Sequence, residues 1–205
     1  MDPLVSLLMP FRKSFQFVWV VFLFFSINSQ SQTARTDPVL EIGTVKFSGT
    51  EGKSLRGATG YSVAFRSEAD RGRFRSQVAA QFDYSTGQAS VSTSDLAYTL
   101  YGGNFVPAYS FYFFREGFFQ PFFTAGGIVG WDFIQLTDPP TGTEPYTQGF
   151  SYGYELSTGV DIRLRRNNDS KALRLKTSFW FVQGQVAGLT GFQLSGFKFA
   201  VGLVF

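Results

Sequence analysis

Between residues 150 and 165 the chain alternates in character at every step. The even positions carry Phe150, Tyr152, Tyr154, Leu156, Thr158, Val160, Ile162 and Leu164. The odd positions carry Ser151, Gly153, Glu155, Ser157, Gly159, Asp161, Arg163 and Arg165. A period of two belongs to a β-strand with one apolar face and one small or charged face. Residues 73–84 repeat it, with Phe74, Val78, Ala80, Phe82 and Tyr84 against Arg73, Arg75, Gln77, Gln81 and Asp83. So do residues 59–66, 173–181 and 197–205, the last setting Phe197, Phe199, Val201, Leu203 and Phe205 against Gly196, Lys198, Ala200 and Gly202.

The pattern predicts eight strands, at about residues 40–48, 58–67, 73–84, 104–114, 118–135, 150–164, 172–183 and 192–205, and no helix after residue 32. The first strand is less regular, and Gly43 is read there as a bulge. Residues 67–72, 115–117 and 166–171 read as short turns. Residues 49–57, 85–103, 137–149 and 184–191 read as longer polar loops. Within the second of these, residues 95–101 (DLAYTLY) either extend the fourth strand or add another. Short turns alternating with longer loops suit an up-and-down barrel whose two ends face different compartments.

Alternation alone does not say which face is inside. Aromatic residues make up 19% of the chain, including 26 Phe, while only 16% is charged. That many large rings cannot converge inside a narrow barrel, but they can coat its outside. The small residues beside the charges (Gly153, Ser157, Gly159, Gly196, Ala200) suit a crowded interior. The expected fold is therefore all-β, a transmembrane antiparallel up-and-down barrel over residues 40–205. In lipid every backbone polar group must pair internally, so a strand-built span has to close. Lipid-facing charges near the midplane would each cost roughly 2–4 kcal/mol, and the central outward positions assigned here carry none.

Two segments carry a resemblance. The ending FKFAVGLVF resembles the C-terminal assembly signal of outer-membrane barrels, carried by Phe197, Phe199, Val201, Leu203 and Phe205. Residues 105–130 (FVPAYSFYFFREGFFQPFFTAGGIVG) resemble a strand–turn–strand of the small eight-stranded outer-membrane family (OmpA/OmpX-like), through Pro121, Phe122, Ala125, Gly126 and Gly130. The resemblance implies an outer-membrane location. As partners it implies membrane lipid and the barrel assembly machinery, the latter engaged by the last strand.

At the other end, Arg12 and Lys13 precede an apolar run at 15–27 (FQFVWVVFLFFSI), followed by NSQSQT. This reads as a secretory signal peptide over residues 1–31, with Met9 an alternative start and residues 32–39 a short lead. The run is shorter than the ~20 residues of a membrane-crossing helix.

The chain has neither Cys nor His. Disulfides, thiolate metal sites and His-based general-base catalysis are thereby excluded. No cofactor is implied. The net charge of +3 is dispersed, with no basic stripe for nucleic acid. The remaining constellation is the inward charge. Parity places Arg66, Arg73, Arg75, Asp83, Glu155, Asp161, Arg163, Arg165, Arg174, Lys176 and Lys198 inside or at the mouths. Glu155 and Asp161 are expected to pair with Arg174, Lys176 and Lys198, with Lys46 near the level of Glu155. Bases outnumber acids in this set, and Phe122, Ile128, Trp180 and Val182 should help fill the lumen. The functional expectation is a non-enzymatic structural or interaction barrel with a plugged lumen and external loops open to an extracellular partner. The alternative is a narrow conduit or a pocket for small solutes or lipids.

Overall fold

The computed structural model describes residues 36–49, 55–91, 94–114, 116–137, 145–164, 171–186 and 191–205. They form β1 (Thr36–Gly49), β2 (Leu55–Arg71), β3 (Phe74–Val91), β4 (Ser94–Tyr112), β5 (Phe119–Leu136), β6 (Tyr146–Arg163), β7 (Ala172–Val186) and β8 (Phe192–Val204). Each strand pairs antiparallel with the next, and β8 pairs with β1, so the sheet closes. The expected all-β, eight-stranded barrel is the fold the chain adopts. The signal peptide assigned to residues 1–31 lies outside the described residues. The last part of the expected lead, from Thr36, belongs to β1.

Side-by-side partners can be followed around the wall from Asp37 through Glu68, Gln77, Ala108, Gly126, Glu155, Trp180 and Gly196. The path returns to β1 at Phe47, ten residues beyond its start. With a rise of about 3.3 Å per residue and strands about 4.8 Å apart, that stagger tilts the strands roughly 40° from the barrel axis. The lumen of such a barrel is just wide enough for side chains to fill.

Both strand termini and the β2–β3 turn lie at one end, here the turn end; the opposite end is the loop end. Gly72, at a φ of 86°, makes the tight β2–β3 turn, a left-handed conformation open to glycine at little cost. Gly43 is not a bulge. Its register with Ser62 and Ala200 is unbroken, and a Cβ there would press on the Phe199 carbonyl and Ala200.

Of the polar stretches expected to be loops, residues 85–103 are mostly strand among the described residues, and strands reach into the other three. β3 and β4 run to Val91 and from Ser94, with Ser85–Val91 paired to Ser94–Leu100. Residues 95–101 extend β4 and add no ninth strand. The reason is a change of phase. In β8, Phe197, Phe199, Val201 and Leu203 face outward and Lys198 inward, while nearer the loop end Phe192 and Leu194 face inward and Gln193 and Ser195 outward. In β7, Leu175 and Phe179 are outward against Arg174 and Lys176. Past Phe181 the order inverts, with Val182 inward and Gln183 and Gln185 outward. In β1, Ile42 is outward against Glu41, then Lys46 and Ser48 are outward against Val45 and Phe47. Lys46, expected inside, is therefore on the outer wall.

The wall thus has two tiers. Nearer the turn end the outside is an apolar belt. On β3 it runs from Phe74 to Tyr84, roughly 25 Å along the axis, the height of a bilayer's apolar band. Aromatic rings edge it on both sides. Tyr84 and Tyr101 (5.5 Å between centroids) and Tyr101 and Phe133 (6.2 Å) line the upper margin. Phe74 with Phe111 (5.1 Å) and Phe118 with Phe119 (4.7 Å) line the lower. Above the upper ring the outside turns polar and the inside apolar, the arrangement of a water-soluble barrel.

Candidate functional site

The lumen of the belted tier holds a continuous ionic network. Arg174, on β7 and 1% exposed, is its centre. Its Nε donates to Asp161 Oδ1 at 2.8 Å and its Nη2 to Asp161 Oδ2 at 2.8 Å, a two-pronged contact that suits the planar guanidinium. Nη1 reaches Glu68, Nη2 donates to the Tyr112 hydroxyl at 2.8 Å, and the guanidinium lies 4.8 Å over the Phe122 ring. Arg75 reaches the same Glu68 at 3.6 Å and stacks 4.1 Å over Tyr112.

One level toward the loop end, Lys176 Nζ contacts Glu155 Oε1 at 2.6 Å and Glu41 Oε2 at 3.4 Å. Arg66 donates to Gln77 at 2.8 Å and to Glu41 at 3.3 Å, and lies 3.9 Å from Glu155. Ser178 donates to Glu155 at 2.9 Å. Gln77, Ser110 and Thr124 continue the chain of hydrogen bonds across β3, β4 and β5. Removing water from charges is costly, and shared carboxylates with several donors offset that cost. The same packing makes any single deletion expensive.

Above this network, Lys198 lies 4.6 Å over the Trp180 ring. Its ammonium has no hydrogen-bond or ion-pair partner among the described residues, so it does not pair with Glu155 or Asp161 as expected. Higher still, Val45, Phe47, Leu55, Tyr98, Ile134 and Phe192 belong to an apolar core that closes the loop end. Phe122, Ile128, Trp180 and Val182 are all buried inside, on the expected parity.

No protein-family model matches the sequence, and no curated protein does. Among solved structures the chain is similar to Neisserial surface protein A (15% identity, TM-score 0.55), covering 84% of this chain and 98% of that one. It also aligns with the outer membrane protein OprG of Pseudomonas aeruginosa (10%, TM-score 0.49, 84% and 97% covered). A third alignment is with Ail, the attachment invasion locus protein of Yersinia pestis (12%, TM-score 0.45, 83% and 99%).

The chain has the fold of the small outer-membrane β-barrels. On that fold the apolar belt between two aromatic rings places it in the outer membrane.

In this outer-membrane barrel the charge balance is the reverse of the one read from the sequence. Among the described residues the buried acids (Asp37, Glu41, Glu68, Asp83, Asp132, Glu155, Asp161) outnumber the buried bases Arg66, Arg174, Lys176 and Lys198. Arg73 is exposed at the turn, Arg163 is half-buried, and Arg165 lies outside the described residues. Glu68 was missed because it falls in a stretch read as a turn. Glu41 was missed because its strand looked irregular. Both sit opposite apolar neighbours (Ile42 beside Glu41, Ala69 beside Glu68), an alternation visible once the strands are extended. The row Phe197, Phe199, Val201, Leu203 and Phe205 lies outside, exposed in the belt.

Proposed function

We propose that this protein acts through its outer surfaces: a closed, non-enzymatic barrel that stands in the outer membrane and presents its loop end to a partner outside the cell. The observation that carries this reading is the double filling of the lumen, ionic below and apolar above. Shared ion pairs occupy the lower tier, and the upper tier is packed mainly with apolar side chains. The polar wall above the aromatic ring, with Thr86, Gln88, Gln148 and Gln185 turned outward, supports it by offering a partner a rigid surface clear of the lipid. The orientation follows, with the turn end in the periplasm. The outward apolar row of β8 is the face we assign to lipid and to the assembly machinery.

Planar-bilayer recording on the refolded protein tests the reading. A closed lumen gives no sustained steps of conductance. Stable, unitary steps would overturn it and return the barrel to the class of narrow conduits.

A further inference from the structure

Asp132 is out of place in its surroundings. It is 4% exposed and faces the lumen from β5, next to Ile134, which pairs with Leu100 in the apolar tier. Glu41, Glu68, Glu155 and Asp161 each have an Arg or Lys within salt-bridge distance. Asp132 and its neighbour Asp83 have none among the described residues. An ionised carboxylate without a counter-charge in apolar surroundings is strongly disfavoured, so something must neutralise it.

The strand register shows what space is left for that. Asp132 is flanked by Gly102 on β4 and Gly149 on β6, and Gly130 precedes it on the same face. Gly130 in turn lies between Asn104 and Ser151, and Gly102 lies between Asp83 and Asp132. Three glycines thus surround one carboxylate. A Cβ on Gly102 would meet Asp132 Oδ1 at 2.8 Å and Asn104 Nδ2 at 3.3 Å, and one on Gly130 would collide with Asn104 Oδ1. Side-chain oxygens fill the room the missing side chains leave. Asp83 accepts hydrogen bonds from Asn104 at 2.8 Å and from Gln81 at 2.7 Å, which fixes the Asn104 amide with its oxygen turned away. Asp132 Oδ2 and Asn104 Oδ1 are buried without a hydrogen-bond partner among the described residues, and the buried Ser151 hydroxyl lies beside Asp132.

Two carboxylates, an amide oxygen and a hydroxyl, with Lys198 near Asp83 but no base within ion-pair distance of either acid among the described residues, are the donor set of a hard cation. A proton on Asp132 would cancel one charge and supply a single donor, whereas an ion binds several oxygens at once. We propose that Asp83, Asn104, Asp132 and Ser151 form a binding site for a divalent cation of the calcium class, joining β3, β4, β5 and β6 beneath the apolar closure. Lys198 acts on Asp83 and leaves Asp132 without a cation of its own, and the flexible geometry of calcium tolerates a site built on a barrel wall better than the strict octahedron of magnesium.

The test uses the protein refolded into phosphatidylcholine vesicles, stripped with chelator and titrated with calcium chloride. Wild type should take up calcium at one saturable site, and its urea midpoint should rise with calcium and fall again on chelation. Asp132→Asn should weaken uptake at least tenfold and abolish the calcium-dependent rise. Asp83→Asn, a second variant on another strand, should act in the same direction. Asp95→Asn, whose carboxylate pairs with Arg56 on the exposed rim at 2.8 Å, should bind as wild type does. Absence of saturable uptake by wild type, or uptake unchanged in both lumen variants, overturns the site and leaves a proton as the partner of Asp132.

Discussion

At the turn end the wall is apolar outside and charged inside; at the loop end it is polar outside and apolar inside. Backbone pairing runs through the change, with β3 and β4 in register from Phe74 to Val91. The fold is therefore indifferent to polarity, and side-chain chemistry alone marks where lipid stops. The tiers also differ in what holds them. The lower one depends on a few multiply shared charges, where losing one partner strands several others. The upper depends on many small apolar contacts, where losing a methyl group leaves only a small void.

The largest expected effect follows from Arg174. Arg174→Leu leaves Glu68 and Asp161 without their main cation and should lower unfolding stability by roughly 3–5 kcal/mol. Glu116→Ala, at the exposed turn, should leave it unchanged. Urea titrations in vesicles that give matching midpoints for these two variants would remove the ionic tier as a stabilising feature.

On the outer wall the tiers should part in the same assay. Val201→Arg, in the belt, should cost roughly 2–4 kcal/mol, whereas Gln193→Arg, above the aromatic ring, should cost about 0–1 kcal/mol. Equal penalties would mean that the belt extends over the upper tier.

Within the apolar core, Ile134→Val should cost roughly 0.5–1.5 kcal/mol. That cost should be equal at low and high salt, as should that of the Arg174 variant, because bulk ions screen buried charges little. A salt-dependent loss at Ile134 would contradict the division.

The smallest effect is spectroscopic. In a Trp19→Phe background, brominated lipid should quench Trp131, which is 46% exposed on the outer wall, and spare Trp180, which is 1% exposed inside. Quenching of both would show that lipid reaches the lumen.

Most of the lower tier was legible in the chain. Strand number, the outward row of β8 and the inward positions of Glu155, Asp161, Arg174 and Lys176 all follow from parity, because apolar-outward alternation is unbroken there. The upper tier was not legible, for a physical reason. Where the phase inverts, at Gly196 in β8 and beyond Phe181 in β7, the pattern passes through a step that looks like lost alternation, and a polar outward face then reads as a loop. Pairing partners were harder still. Parity gives the side of the wall but not the height, so Lys176 was among the bases expected near Glu155, while the Arg66 contact and the lack of an ion pair at Lys198 were not foreseen. The glycines around Asp132 gave the least signal, because each reads singly as strand thinning. Only the lateral register brings them together.

The switch from Tyr84 and Tyr101 to Thr86 and Thr99 takes a single repeat of the strand, which makes the upper edge of the belt a step. A gradual edge would let the protein ride up or down as the bilayer changed thickness. A step fixes its draught: sinking buries glutamines in hydrocarbon, and rising bares aromatic rings to water. When thickness does not match, the lipid must bend to meet the barrel, at a modest cost for each ångström. The molecule thus carries its own waterline, and membranes of matching depth are where it sits at rest.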